Sequence, residues 1–256
     1  MNKKTNLKNR VIASILVDNY QAIKSKQFLD HRTFGNLTQV VELFSRRKVD
    51  ELVILDIESS KKKKPIDSRI LQLMTLNSLI PITYGGGIKN LTDIEICLNT
   101  GCEKIILNSI LYEDPKFLSD AVRIFGSQSI IINLDIKKIN QEYRIFNHAK
   151  NILLEQSVSD HLKLCQDLDC GEIVLNSVDN DGMLNGYDNG LINNFRTLID
   201  RPLIINGGCG APLHIKDAIL NGADACMAAS IFYFTRYSYG EIKEFLIKEN
   251  INVRIS

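Results

Sequence analysis

The sequence predicts a single (β/α)8 barrel, the TIM-barrel architecture, built from two similar halves. Eight short apolar runs alternate with longer helix-like segments over 256 residues. The runs are continuously apolar, as expected for parallel strands that are buried on both faces. A glycine-rich motif also occurs twice, half a chain apart. We place one domain at residues 1–256, with half-barrels at about 1–128 and 129–256. The competing prediction is an open doubly wound sheet, which does not require equal halves.

The predicted strands and helices follow one another in a regular order. The strands are Val11–Val17, Glu51–Ile57, Ile80–Thr83, Lys104–Leu107, Ser129–Asp135, Glu172–Asn176, Pro202–Ile205 and Ala225–Ala228. The clearest helices are Leu37–Arg47, Leu91–Thr100, Pro115–Phe125, Ser157–Leu168 and Pro212–Leu220. Asn90 offers a capping oxygen to the helix that follows it, and Asp114-Pro115 is a favourable helix start.

Composition excludes several classes of function. The net charge is +1, so nothing indicates a nucleic-acid binder or a membrane-surface binder. The six cysteines form no CxxC pair and the histidines lie far apart, so we expect reduced core thiols and neither a metal nor another cofactor. A basic start, Met1–Lys4, precedes only a short apolar run, which we interpret as a first strand rather than a signal peptide. We therefore expect a cytoplasmic protein with no membrane span.

Two glycine-rich motifs follow predicted strands and indicate anion binding. The first cradle comprises Gly85–Gly87 (Gly85, Gly86 and Gly87) with Asn108 and Ser109; the second comprises Gly207 and Gly208 with Ala229 and Ser230. Matched positions keep the same separation to within one residue. Glycine lets backbone N–H groups approach phosphate oxygens, and a following helix start adds partial positive charge. The repeat predicts a ligand with a phosphate at each end, although the glycines could instead only form tight turns.

Charged residues near the strand ends are candidates for chemistry. Asp135 closes the fifth strand, so it should point into the barrel mouth, where a carboxylate can accept or donate a proton. The alternative is a structural aspartate that ties down a loop. Lys24 lies in the first long loop and could meet an anion. The run Lys61–Lys64 is either a flexible charged loop or a means of attracting phosphate.

The opposite end of the barrel carries an unusual charge pattern. Four charged residues begin the first, second, fourth and sixth strands: Arg10, Glu51, Lys104 and Glu172. In a barrel these starts converge on one rim, where two bases and two acids could close a ring of salt bridges. The alternative is ordinary surface pairing. We call these four residues the charged ring.

These features together resemble the HisF family, the cyclase subunit of imidazole glycerol phosphate synthase. The motifs that carry the resemblance extend along the chain and include Asp50–Ile57, Gly85–Ile88, Phe125–Gln128, Gly171–Leu175, Asp179–Gly182, Gly186–Asp188 and Ala228–Phe232. The resemblance implies a half-barrel-symmetric (β/α)8 barrel that binds a ligand with two phosphates. It also implies that ammonia arrives through the barrel from a HisH-like glutaminase docked at the N-terminal face, and that an imidazole ring is closed.

The resemblance assigns roles to individual residues. One phosphate site matches Gly85–Gly87, Asn108 and Ser109, and the other matches Gly182, Gly207, Gly208, Ala229 and Ser230. Asp135 matches one of two catalytic aspartates, Lys24 matches a loop lysine, and the charged ring matches the gate of the ammonia channel. Leu16 departs from the family because it occupies the position of the other catalytic aspartate. Asp18, two residues on, lies on the same strand face but further out, and could substitute only if the loop folds back.

The function that follows is a HisF-like synthase subunit that receives ammonia from the glutaminase and binds a phosphorylated small molecule. Because leucine cannot move a proton, we favour divergence of the kind seen in HisF-like paralogues that act with a sugar amidotransferase in surface-polysaccharide biosynthesis. One alternative is a genuine cyclase of histidine biosynthesis. Others are a catalytically silent barrel that docks and activates the glutaminase, and a phosphate-binding sugar isomerase.

Overall fold

Eight parallel strands close into a barrel in this protein. A computed structural model describes residues 8–57, 59 and 64–254. The strands are β1 (Arg10–Asp18), β2 (Gln21–Lys26), β3 (Leu29–Asn36), β4 (Glu51–Asp56), β5 (Ile82–Gly85), β6 (Lys104–Leu107), β7 (Ile130–Ile139), β8 (Glu142–Asn147), β9 (Ile152–Ser157), β10 (Glu172–Ser177), β11 (Leu203–Asn206) and β12 (Ala225–Ala228). The barrel order is β1-β4-β5-β6-β7-β10-β11-β12, and β12 pairs with β1. The predicted (β/α)8 barrel is confirmed, and the open sheet is wrong.

Helices alternate with the barrel strands and cover the outside of the barrel. They are α1 (Leu37–Arg46), α2 (Ser68–Leu76), α3 (Leu91–Asn99), α4 (Ile110–Glu113), α5 (Pro115–Phe125), α6 (Val158–Asp167), α7 (Asn189–Phe195), α8 (Pro212–Leu220), α9 (Ser230–Phe234) and α10 (Tyr239–Lys248). Asn90 caps α3 in a capping box, and Asp114 caps α5, as the sequence predicts. None of the helices in the described part of the chain has the length and apolar character that a membrane crossing needs.

The alternation of side chains along each strand produces two apolar layers. Val11 and Ala13 face the helices in the larger layer, whereas Ile12 faces the barrel axis. The inner layer consists of Ile12, Val53, Ile106, Ile131, Val174, Ile204, Ala225 and Met227. Burial of each large aliphatic side chain contributes about 1.5–3 kcal/mol. This inner layer separates the two ends of the barrel.

Two antiparallel hairpins extend the barrel where the sequence predicts loops. β1 continues into β2 and β3, and β7 continues into β8 and β9. Lys24 therefore lies on strand β2, and its predicted loop position is wrong. The turns contain non-glycine residues with positive φ, including Gln27, Phe28, Asn140 and Gln141. They lack the Asn-Gly or Asp-Gly pair that marks a two-residue hairpin in a sequence.

Other element boundaries also differ from the prediction. β5 begins at Ile82 and ends at Gly85, because Gly85 still pairs with both neighbouring strands. β7 runs on to Ile139, because β8 supplies it with an antiparallel partner. Of the lysine run, residues 61–63 lie outside the described part of the chain. Lys64 is exposed, and its carbonyl accepts a hydrogen bond from Lys89 Nζ at 3.0 Å.

A buried polar network ties the last helix to the start of the barrel. Lys243 Nζ on α10 lies 2.6 Å from Asp50 Oδ2, with both side chains almost inaccessible to solvent. The same carboxylate oxygen accepts the backbone N–H of Val11 at 2.9 Å. Tyr239 donates its hydroxyl proton to the Val11 carbonyl and accepts the N–H of Asp50, both at 2.9 Å. The network therefore joins α10, β1 and the residue before β4.

Replacement of Lys243 by methionine is expected to lower the free energy of unfolding by about 3–5 kcal/mol, because it leaves the Asp50 carboxylate buried without its counter-charge. Lys248→Met, at an exposed position of the same helix, is the matched control and should change stability by less than about 0.5 kcal/mol. Urea unfolding of the three proteins measures this difference. Equal effects of the two substitutions would show that the buried ion pair is not needed.

Candidate active site

A cavity of about 590 Å³ lies where the barrel strands end at their carboxyl termini. This is the face at which (β/α)8 barrels carry out their chemistry. A smaller cavity of about 40 Å³ adjoins it. Leu16, Leu55, Ser25, Asp181 and Asn206 line both cavities, so the two form one continuous candidate site.

The first cradle lines the larger cavity. Gly86, Gly87, Asn108 and Ser109 are all part of its wall. Gly86 has φ +106°, and a Cβ there would lie 2.1 Å from the carbonyl oxygen of Asp56, so only glycine fits. Ser109 precedes α4, and no side chain caps that helix start. Gly85 lies outside the cavity wall, within strand β5, where a Cβ would meet the Ile106 side chain at 2.2 Å.

The second cradle lines the smaller cavity. Gly182, Gly207, Gly208, Ala229 and Ser230 form part of its wall. Gly207 has φ +92°, and a Cβ there would lie 2.4 Å from the carbonyl oxygen of Ser177. Lys24 lines the same cavity, with its Nζ 3.7 Å from the centroid of the Phe234 ring. The structure thus places a cationic side chain beside the second cradle, and such groups make the stronger, charge-assisted hydrogen bonds to phosphate.

Asp135 is part of the wall of the larger cavity and is buried among hydrogen-bond donors. Its Oδ1 accepts from Asn133 Nδ2 at 2.8 Å and from Asn176 Nδ2 at 2.7 Å. Its Oδ2 accepts from Asn108 Nδ2 at 2.8 Å and lies 2.9 Å from His148 Nδ1. Because Asn108 belongs to the first cradle, the Asp135 carboxylate is hydrogen-bonded directly to that cradle.

A second chain of amides joins Asp135 to the other cradle. Asn206 Nδ2 donates to Asn176 Oδ1 at 3.0 Å, and Asn176 donates in turn to Asp135. Asn206 directly precedes Gly207. One carboxylate therefore lies between two glycine cradles and is hydrogen-bonded towards both.

The pKa values of two aspartates in this site, Asp135 and Asp181, are shifted in opposite directions. Burial alone would raise the pKa of Asp135, but the hydrogen bond and charge of His148, with the amides of Asn176 and Asn133, lower its pKa below the ordinary value. Burial raises the pKa of Asp181, and the negative charge of Asp135 adds to this against the opposing hydrogen bond from Ser25. Asp135 is thus held as a carboxylate at neutral pH.

The first strand presents an apolar side chain, Leu16, to the candidate site. Leu16 lines both cavities and lies opposite Leu55 of β4 in the barrel register. Asp18 pairs with Gln21 at the corner between β1 and β2, outside the walls of the two cavities. The described geometry therefore keeps Asp18 out of the cavity walls that Leu16 lines, and the predicted substitution of Asp18 for an aspartate at position 16 stays a prediction.

The charged ring closes at the opposite, N-terminal end of the barrel. Arg10 contacts Glu51 Oε2 through Nη1 at 2.9 Å and Glu172 Oε2 through Nη2 at 2.5 Å. Lys104 Nζ lies 2.7 Å from Glu172 Oε1 and 3.3 Å from Glu51 Oε2. Thr83 adds a hydrogen bond to Glu51 Oε1 at 2.8 Å. Each base thus bridges both acids, as the sequence predicts for residues that begin convergent strands.

The acids and bases of the charged ring stabilise one another in their charged forms. Burial would raise the pKa of Glu172, but the charges and hydrogen bonds of Arg10 and Lys104 outweigh it and lower that pKa. Burial would lower the pKa of Arg10, but Glu172 and Glu51 raise it above its ordinary value. The Glu51 and Glu172 side chains are only 4% and 11% exposed, so solvent screens these pairs weakly.

The sequence prediction included Asn108 but missed His148, Asn133 and Asn176 around Asp135. Asn133 lies two residues before Asp135, so strand alternation alone places it on the same face. Asn176 ends a predicted strand, and the strand-end position that identified Asp135 could have identified it too. His148 carries no such signal, because its position depends on the unpredicted hairpin.

Comparisons with known proteins agree with this geometry. The family model described as "Histidine biosynthesis protein" matches residues 10–238. A protein of Campylobacter jejuni subsp. jejuni serotype O:2, provisionally named imidazole glycerol phosphate synthase subunit hisF2, is 39% identical over 249 residues, which cover 97% of this chain and 99% of that protein. The chain therefore belongs to the histidine biosynthesis protein family, as a HisF-like member with a closed (β/α)8 barrel.

Proposed function

We propose that the chain is the ammonia-using synthase subunit of a cytoplasmic glutamine amidotransferase complex. The observation that carries this proposal is the placement of two features on one axis. Strands β1, β4, β6 and β10 begin at the charged ring, and the cavity with its two cradles lies at their other ends. Ammonia would enter at the ring and meet a phosphorylated acceptor beside Asp135.

A HisH-like glutaminase docked at the N-terminal face is the proposed source of ammonia. The inner apolar layer lies between the ring and the cavity. A charged ammonium ion would lose its hydration there, at a cost of several kcal/mol, whereas neutral ammonia would lose far less. The layer therefore favours passage of the nucleophilic form, and the ring would act as the gate.

The acceptor is the point at which we propose divergence from the cyclase. Leu16 removes one of the two carboxylates that the family's ring closure uses, and loss of a general acid or base costs about 10²–10⁴-fold in rate. The two cradles remain, with Lys24 beside the second. We therefore propose amidation of a phosphorylated intermediate of surface-sugar biosynthesis, together with a sugar amidotransferase.

Isotope incorporation tests this proposal. The purified chain, with and without the sugar amidotransferase, is incubated with ¹⁵N-ammonium at alkaline pH. Two sets of acceptors are supplied: phosphorylated or nucleotide-linked sugars, and the ribotide bis-phosphate of the HisF reaction. Mass spectrometry should find ¹⁵N in a sugar product and at most slow turnover of the ribotide. Robust conversion of the ribotide to imidazole glycerol phosphate would overturn the divergence and establish the alternative, a cyclase of histidine biosynthesis.

A third candidate is a silent barrel that only docks and activates the glutaminase. It predicts that Asp135→Asn leaves every activity of the complex unchanged. The enzyme proposal expects the variant to bind and activate the glutaminase normally but to lose product formation. Glutamate release and product formation, measured in the same reaction, separate these outcomes.

A further inference from the structure

Asp135 has no open position at which to meet a substrate. A carboxylate offers about four lone-pair positions. Asn133 and Asn176 occupy Oδ1, and Asn108 and His148 occupy Oδ2. The side chain is also only 2% exposed. A group held in this way can orient and stabilise a neighbour, but it cannot itself take a proton from a ligand without losing one of its partners.

His148 is the one of these four partners that can carry a proton. Its ring lies on the loop after β8, lines the larger cavity and is held edge-on against Phe28 with centroids 5.9 Å apart. Because Asp135 is ionised, the 2.9 Å contact requires Nδ1–H to donate to it. Neutral His148 then has its lone pair on Nε2, and within the described residues the hydrogen bonds of this ring involve Nδ1 only.

We infer that His148 is the residue that exchanges a proton with the molecule bound in the cavity, and that Asp135 is its positioning residue. This rests on the proposed function, in which ammonia attacks the acceptor. As the nitrogen–carbon bond forms from the ammonia lone pair, one N–H bond breaks; its proton moves to Nε2 and its electron pair stays on nitrogen. The imidazolium then returns the proton to the leaving oxygen, which departs with the electron pair of the broken carbon–oxygen bond, so no other reactant is required.

The charges around His148 suit such a cycle. Asp135 on β7 faces Nδ1, and Lys137 on the same strand and His31 on β3 line the cavity wall. Asp181, whose pKa burial raises, lines the wall from the loop after β10. Lys150, on the same loop as His148, is paired with Glu113 at 3.1 Å. The carboxylate at Nδ1 stabilises the imidazolium form, as in other aspartate–histidine pairs.

Nitrogen NMR of the ¹⁵N-histidine-labelled protein tests the Asp135–His148 pair without the need for an activity assay. His148 is assigned from the signal missing in His148→Gln. The expected spectrum of the neutral form has Nδ1 protonated and Nε2 bare, and Asp135→Asn should remove this tautomer preference. A neutral His148 protonated at Nε2, or one indifferent to Asp135→Asn, would overturn the inference.

Steady-state kinetics of the complex provide a second test of the role of His148. His148→Gln keeps a hydrogen-bond donor for Asp135 but cannot cycle a proton, so kcat should fall by about 10²–10⁴-fold with little change in KM. The pH profile of kcat should change in His148→Gln, whereas His31→Gln, which removes the other cavity imidazole, should keep the wild-type profile. Wild-type kcat and pH dependence in His148→Gln would overturn the inference, whereas a wild type without turnover would count against the proposed function and leave the NMR result to decide.

Discussion

Replacement of Glu172 by alanine is expected to lower the free energy of unfolding by about 3–5 kcal/mol. Glu172 holds Arg10 through Oε2 and Lys104 through Oε1, so its loss leaves two partly buried cations that share the single carboxylate of Glu51. Breaking a buried ion pair from one side costs this much because the remaining charge stays desolvated. Urea unfolding at neutral pH measures the effect.

Two control variants make the result specific. Glu172→Gln keeps the shape and some hydrogen bonding but removes the charge, and it should recover only part of the loss. Glu244→Ala removes an exposed glutamate of α10 and should have an effect below about 0.5 kcal/mol. If Glu172→Ala were no more harmful than Glu244→Ala, the charged ring would not contribute to stability.

The contribution of Glu172 should also depend on pH with a definite sign. Its pKa in the folded protein is lowered below the ordinary 4.5, so its stabilisation is fully present above that value. The stabilisation is lost as the pH falls through the lower, folded-state pKa. The stability gap between wild type and Glu172→Gln should therefore be constant near neutral pH and shrink at acidic pH. A gap that widened on acidification would contradict the assignment.

Replacement of Gly86 or Gly207 by alanine is expected to abolish phosphate binding at the corresponding cradle and to destabilise the fold. The added Cβ would meet the Asp56 carbonyl oxygen at 2.1 Å or the Ser177 carbonyl oxygen at 2.4 Å, and backbone atoms cannot rotate away. Overpacking costs about 1–3 kcal/mol, and the positive φ adds about 1–2 kcal/mol. Crystals soaked in inorganic phosphate should show an anion at both cradles of the wild type and at one cradle in each variant.

Gly240→Ala is the matched control for both glycine variants. Gly240 lies in α10, and a Cβ there would meet nothing within 4 Å. Alanine should stabilise this helix by about 0.5–1 kcal/mol and leave phosphate binding intact. Equal phosphate occupancy in Gly86→Ala, Gly207→Ala and Gly240→Ala would show that the glycines serve only as turns.

The barrel and both cradles were predictable because each requires a local sequence pattern. A doubly buried parallel strand such as β10 has a continuously apolar middle, Ile173–Leu175, and a positive-φ turn such as Gly86 requires glycine. The hairpins were not predictable in the same way. β3 is largely exposed and polar, and its connection to β2 uses Gln27 and Phe28 instead of glycine.

The surroundings of Asp135 were only partly predictable because the residues that contact it are mostly far from it in the sequence. Its position at a strand end follows from the apolar run before it. Asn108 and Asn176 are 27 and 41 residues away, and strand order in the closed barrel is what brings them together. The position of His148 beside Asp135 depends further on the register of β8 against β7, in which Ile145 lies opposite Ile136. No local pattern encodes that pairing.

The most direct test of the ammonia path is an isotope competition in the reconstituted complex. The chain, its HisH-like glutaminase and the acceptor found by ¹⁵N incorporation are mixed with amide-¹⁵N glutamine and an excess of unlabelled ammonium. Passage from the charged ring to the cavity predicts that the product nitrogen is predominantly ¹⁵N. A product whose ¹⁵N fraction equals that of the bulk ammonium pool would contradict the path through the barrel.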